Sequence, residues 1–242
     1  MEYTQIFDTR ANQYTYAVHT YPHVLQQEFE TAVQMLDLQK GEHLINIPAA
    51  CICIDPYISS DLQIQHTMYE TSKTFADLNS VEYCEWHTIP WQPESCDKIL
   101  SLASLHHANQ EERNTLYRSA YTALRPGGAL VIGDVRKGSK QDPWLNSFVN
   151  EFNPSGHCGN FWSEQDAVLI QTAGFEVSVH TKKYLWKHKT KSEMLDFCKN
   201  LFGLDKATET QIYEGLLNHG LIVDVNDMEW ELMYFIAQKP KY

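Results

Sequence analysis

Leu105-His106-His107 places two imidazoles side by side, and Gly156-His157-Cys158-Gly159 sets a third histidine and a thiol between two glycines. Imidazole moves protons near neutral pH and binds transition metals. Adjacent residues on a strand or helix end point apart, so His106 and His107 are not expected to share an ion, and no metal is expected. His157, on a glycine-bracketed stretch before a capped helix, is the candidate acid/base or substrate-orienting group. Its neighbour Cys158 raises nucleophilic catalysis, but no third, orienting group accompanies it. Cys51-Ile52-Cys53 is a C-x-C with no second pair at zinc spacing. These cysteines, with Cys84, Cys96 and Cys198, read mostly as buried thiols acting as small apolar residues.

The elements that must position these groups follow from periodicity. Residues 24–38 carry Phe29, Val33, Met35 and Leu36 at helical spacing, and Lys40-Gly41 ends that helix. Leu44 to Ile47, Leu62 to Glu70, Val81 to Glu85, Lys98 to Ser104 and Ala129 to Asp134 read as strands. Glu111 to Leu124 is an amphipathic helix stopped by Arg125-Pro126-Gly127-Gly128. Ser163-Glu-Gln-Asp166 opens a helix in capping-box style, followed by a strand over 175–185, helices over 191–201 and 208–218, and a strand over 228–239. Strands alternating with helices imply a parallel sheet with right-handed crossovers, and the two long final strands imply an antiparallel pair. The expected fold is α/β: a Rossmann-like three-layer sandwich, mostly parallel, with an antiparallel C-terminal strand pair. One domain over 1–242 is expected, with an N-terminal helical lid over 1–38 and a lid loop over 136–162.

Composition restricts the partners. The 242 residues carry a net charge of −12 and are 43% hydrophobic, enough for a sizeable core. An acidic chain whose basic residues cluster only between Lys182 and Lys191 argues against nucleic acid. No run approaches the roughly 20 apolar residues of a membrane helix, and no secretory signal is seen. A cytoplasmic protein acting on a small molecule, with neither nucleic acid nor membrane as partner, is expected; oligomeric state is not encoded legibly.

The stretch Ile89-Pro-Trp-Gln-Pro-Glu-Ser-Cys-Asp-Lys-Ile-Leu-Ser-Leu-Ala-Ser-Leu-His-His107, a helix, and Leu124-Arg-Pro-Gly-Gly-Ala-Leu-Val-Ile-Gly-Asp134 resembles the class I S-adenosylmethionine-dependent methyltransferases, in particular the ubiquinone-type small-molecule enzymes. The resemblance implies S-adenosylmethionine as cofactor, held beyond the carboxyl ends of the strands where the strand order switches. It implies a turn after the first strand that lets the backbone approach the cofactor, which falls on Asn46, Pro48, Ala49 and Ala50. It places an acid for the ribose at Glu70, with Asp55 as rival, and adenine contacts at Glu85 and Trp86. Ser104 and His106 follow the fourth strand on the cofactor side, and His107, Tyr14, Tyr21 and Trp162 are assigned to the substrate. Asp134, ending the fifth strand, joins His157 as the catalytic pair.

The first motif departs from the family. G-x-G-x-G is replaced by Pro48-Ala-Ala-Cys-Ile-Cys53, and no glycine lies between Gly41 and Gly127. Any residue there needing positive φ is strained. Two functions therefore stand side by side. One is a small-molecule methyltransferase, in a biosynthetic pathway. The other is a protein of that fold that has lost methyl transfer, acting as a cofactor-independent lyase or cyclase or as a non-catalytic binding subunit.

Overall fold

The computed structural model describes residues 3–50, 54–85 and 89–241. Two helices, α1 (Tyr3–Thr20) and α2 (Pro22–Leu36), precede β1 (His43–Asn46). Then come β2 (Gln65–Glu70), α3 (Lys73–Asn79), β3 (Glu82–Tyr83), β4 (Cys96–Leu102), α4 (Gln110–Ala123) and β5 (Leu124–Asp134). The remainder holds α5 (Gln141–Pro143), α6 (Asn150–Phe152), α7 (Asp166–Gln171), β6 (Glu176–Lys187), α8 (Lys191–Phe202), α9 (Glu209–Asn218), β7 (Ile222–Asp224) and β8 (Asp227–Gln238).

The strands form one sheet in the order β3-β2-β1-β4-β5-β8-β6, with β7 beside β8. β1 runs parallel to β2 and β4, and β4 parallel to β5, whereas β8 runs antiparallel to β5 and β6. The mostly parallel Rossmann-like sheet with its antiparallel pair is thus present. The order reverses at β1, so the chain leaves β1 and β4 in diverging directions and opens a crevice at their carboxyl ends. Two apolar clusters pack on the sheet. One joins α2, α8 and α9 to Leu44, Leu100 and Trp230. The other joins α4 and α7 to Ile45, Ile99 and Ile132.

Local chemistry sets the helix ends. Asn109 and Glu112 form a reciprocal capping box on α4, as do Thr208 and Gln211 on α9, each worth about 1 kcal/mol. Gly203 ends α8 in the left-handed region at φ 64. Two expectations change. The chain before β2 forms 3-10 turns at Asp55–Tyr57 and Ser60–Leu62, so β2 starts at Gln65 rather than at residue 62. Residues 136–162 are not all loop: α5, a π-helical run Trp144–Val149 and α6 form one irregular helix within them. Its apolar Trp144, Leu145 and Val149 are fully buried, which is why it folds without clear helical periodicity of its own. Among the described residues no helix is long and apolar enough to cross a membrane.

Candidate active site

β1, β2, β4 and β5 all end at the same sheet edge, and two cavities open there. The first is lined by Asn46, Pro48, Ala49, Ala50, Leu102 and Ala103, with Tyr14 and Glu28 closing it. The second is bounded by Ile6, Phe7 and Arg10 from α1, by His106, His107 and His157, and by Trp186, Phe202 and Trp230. Tyr14, Glu28 and Ala103 belong to both walls, so the cavities adjoin at those residues.

The turn after β1 has the shape a glycine loop would take, built from alanine. Ala50 lies at φ 45 and Ala103, after β4, at φ 49, both left-handed. Each costs about 1 kcal/mol relative to glycine, and the small methyl keeps the backbone accessible. Asn46 ends β1 with its side-chain oxygen buried and without a hydrogen-bond partner. Glu70 ends β2 fully buried; Ala50 donates to its Oε2 at 2.8 Å, and the amides of Thr71 and Ser72 donate to Oε1 at 2.8 Å each. Burial still pushes its carboxyl up to about 7 against those bonds. Asp55, the rival acid, sits on a 3-10 turn, exposed and paired with His66 at 2.7 Å. Glu85 is half-buried, accepts from the Tyr83 hydroxyl and lines neither cavity. Trp86 lies outside the described residues, as do Cys51 and Cys53.

Helix α1 docks across this edge. The Tyr3 hydroxyl reaches Glu70 Oε2 at 3.4 Å, and the Ser72 hydroxyl donates to Asp8 at 2.7 Å. Arg10 donates to the Asn200 and Leu201 carbonyls at 3.1 and 3.0 Å, pinning α1 to α8. Burial lowers the Arg10 guanidinium to about 10, where it keeps its charge at neutral pH. Tyr14 reaches the cavities, but Tyr21 does not: its hydroxyl donates to Asp196 at 2.8 Å, on the α8 side.

The acceptor-side cavity holds three histidines. The turn after Ala103 winds into a 3-10 helix, Leu105–His107. Successive side chains there diverge by about 120° rather than the 180° of a strand. His106 and His107 therefore face the same space, with ring centroids 4.0 Å apart, which corrects the expectation that they point apart. His157 closes the group at 5.5 and 5.0 Å from them. The irregular helix delivers it: Asn150 accepts from the His157 amide at 2.8 Å, and Asn146 accepts from the Gly159 amide at 2.7 Å. Burial and the neighbouring His106 push both His107 and His157 well below the ordinary histidine value, so both are neutral.

Asp134 is fully buried beneath this group. Its Oδ1 accepts from His106 Nδ1 and from the Val135 amide, both at 2.7 Å, and Oδ2 accepts from the His106 amide at 2.9 Å. It does not line the cavity; it holds the His106 ring and amide from behind. Ser104 is likewise buried, 3.3 Å from Ser101 Oγ, and lines neither cavity. Trp162 is fully buried under the Arg113 guanidinium and against Phe235, away from both cavities. Cys158 is exposed, its thiol 3.7 Å from Asn150 Oδ1.

The sequence reading missed Glu28. It sits on α2 among the buried stripe Val24, Leu25, Phe29, Ala32 and Leu36, 4% exposed, with Oε2 unpartnered. Burial pushes its carboxyl up to about 8; the Trp186 indole N–H lies near enough to favour the ion, without reaching hydrogen-bond geometry. A carboxylate on an otherwise apolar helix stripe was the available signal.

Residues 49–132 match the family described as a methyltransferase domain. That match spans about a third of the chain, from the turn after β1 into β5. The chain is 29% identical over 113 residues to the 27-O-demethylrifamycin SV methyltransferase of Amycolatopsis mediterranei strain S699. That match covers 41% of this chain and 41% of that enzyme, so it spans well under half of the relative's length. In structure, the chain is similar to phosphoethanolamine N-methyltransferase 2 of Haemonchus contortus, solved with phosphomonomethylethanolamine and S-adenosylhomocysteine. The TM-score is 0.63 at 16% identity, over 99% of this chain and 60% of that one. The (4+2)-cyclase SpnF is also similar, with a TM-score of 0.58 at 15% identity over 88% of this chain and 80% of that one. At these identities the likeness concerns the fold alone.

Proposed function

We propose that this protein is an S-adenosylmethionine-dependent methyltransferase acting on a small, largely apolar acceptor through an ionisable hydroxyl. The observation that carries the reading is the meeting of two cavities at Glu28, Tyr14 and Ala103, one bounded by the turn after β1 and the other by the histidines. The unpartnered Asn46 oxygen, the left-handed Ala50 and Ala103 and the buried Glu70 fit a cofactor with a charged amino-acid end and a ribose diol. Asn46, Ala49, Ala50, Glu70 and Ala103 would hold it. Bound there, S-adenosylmethionine supplies an electrophilic methyl group.

The chain's own part is mostly proximity and orientation. Trp186, Phe202 and Trp230 hold an apolar or aromatic acceptor body and exclude water. With the Nδ1 proton directed at Asp134, His106 Nε2 presents a lone pair that accepts a hydrogen bond from the acceptor hydroxyl. That nitrogen takes the acceptor proton as the acceptor oxygen becomes an ether, while Glu28, its carboxyl lifted to about 8 and so protonated at neutral pH, donates a hydrogen bond at the junction. Asp134 fixes the His106 ring, and His157 orients the acceptor from the opposite wall.

A second reading has its own support. Glu70 already accepts from three backbone amides, and the cyclase SpnF shares the fold. A cofactor-independent lyase or cyclase would use the same Glu28 and His157 without the first cavity. Calorimetric titration with S-adenosylhomocysteine separates the two. Micromolar binding that is lost in Glu70→Ala is the expected result. Absence of binding at millimolar concentration by both S-adenosylhomocysteine and S-adenosylmethionine overturns the methyltransferase reading.

A further inference from the structure

We propose that His106, His107 and His157 together bind one divalent transition-metal ion of the zinc class, with a remaining coordination position open to the acceptor cavity. One nitrogen from each ring lies within 4.8 Å of one from each of the others, and all three side chains are buried. A tetrahedral zinc site needs ligand nitrogens about 3.3 Å apart, given metal–nitrogen bonds of about 2.0–2.1 Å. Ring rotation toward a common centre closes that difference.

Three further observations favour an ion. His107 Nδ1 is buried with no hydrogen-bond partner, a cost that ligation would remove. His106 donates from Nδ1 to the buried Asp134 carboxylate at 2.7 Å, which leaves Nε2 as the ligand. A carboxylate behind a ligating imidazole fixes the ring and raises its basicity, and is the usual support of a histidine metal site. His157 is set by Asn146 and Asn150, with only a long 3.4 Å approach of Nδ1 to Asn146 Oδ1.

Three imidazoles without a carboxylate or thiolate ligand suit zinc, and equally cobalt or nickel, and do not suit magnesium or calcium. The three side chains line the same cavity wall as Glu28 and Trp186, so an oxygen entering that cavity reaches the open position. A hydroxyl bound there loses its proton more readily. The ion would occupy His106 Nε2, so it takes over from that nitrogen the contact to the acceptor oxygen. This role rests on the methyltransferase reading; ion binding itself rests only on the three rings.

The test uses the full chain after dialysis against a chelator, titrated with zinc by calorimetry and with cobalt by visible absorption. One ion per chain is expected, with a cobalt spectrum of tetrahedral nitrogen ligation. His157→Ala and His107→Ala should each weaken zinc binding by at least about 100-fold, and Asp134→Asn by about 10- to 100-fold. Cys158→Ser should leave it unchanged, and circular dichroism checks that each variant folds. No zinc binding at millimolar concentration overturns the proposal. So does undiminished binding in the folded His107→Ala/His157→Ala double variant, or a sulfur-to-cobalt charge-transfer band. S-adenosylhomocysteine titrated on the same metal-free sample reports the methyltransferase reading separately.

Discussion

The Asp134 carboxylate grips His106 twice, accepting from ring Nδ1 at 2.7 Å and from the backbone amide at 2.9 Å. The pair joins the end of β5 to the turn after β4, and both residues are buried. Replacing Asp134 by Ala strands three donors, those two and the Val135 amide. Each buried unsatisfied donor costs about 1–3 kcal/mol, so a loss of roughly 3–5 kcal/mol is expected, allowing for water entering the space. Urea denaturation measures it; a change under 1 kcal/mol contradicts the bonding described.

Glu28 makes stability depend on pH in a stated direction. Its folded value is raised from 4.5 to about 8, so the native state holds a proton that the unfolded state has released. The stability from this group is complete below pH 4.5 and falls as pH rises through 8. Between pH 6.5 and 8 the loss is about 1–2 kcal/mol. His107 and His157, whose folded values are lowered, act in the opposite direction and mainly below their ordinary value of 6.5. Thermal melts from pH 6.5 to 9 should show the wild type losing stability and Glu28→Gln losing less. Parallel curves would mean that Glu28 does not hold its proton.

Glu70 and the turn it braces give a third expectation. Ala50 and Ala103 sit in the left-handed region, where glycine is unstrained. Ala50→Gly should therefore stabilise the fold, by up to about 1 kcal/mol after the greater unfolded-state entropy of glycine is subtracted. Destabilisation by urea midpoint would mean that the alanine methyl contributes packing that outweighs its backbone strain.

The irregular helix is expected to control the loop that bears His157. Asn146 exchanges bonds with Gly159, donating to its carbonyl at 3.0 Å and accepting from its amide at 2.7 Å. Asn146→Leu removes both. Amide hydrogen exchange at residues 156–160 should then accelerate about tenfold or more, while β5 and β8 remain protected. Uniform acceleration across the sheet would show that the loop opens only with global unfolding.

Much of the fold was legible because it depends on local pattern. The continuous apolar runs at Leu44 and Ile99, the capping boxes and the Pro126-Gly127-Gly128 stop each state their role within a few residues. Glu70 at the end of β2 was legible for the same reason. The site was not. Whether His106 and His107 diverge or converge turns on a 3-10 turn that follows a left-handed Ala103, a conformation no propensity assigns to alanine. His157 joins them across about fifty residues of chain, through an irregular helix buried for its tryptophan rather than for any periodic stripe. Trp162, placed by sequence in the site, packs under Arg113 instead, and Glu28 enters it from a helix that looked like core. Sequence by itself determined which elements form and in what order. Tertiary structure alone decided which side chains meet at the sheet edge, because that depends on packing between elements distant in the chain, where no local preference reaches.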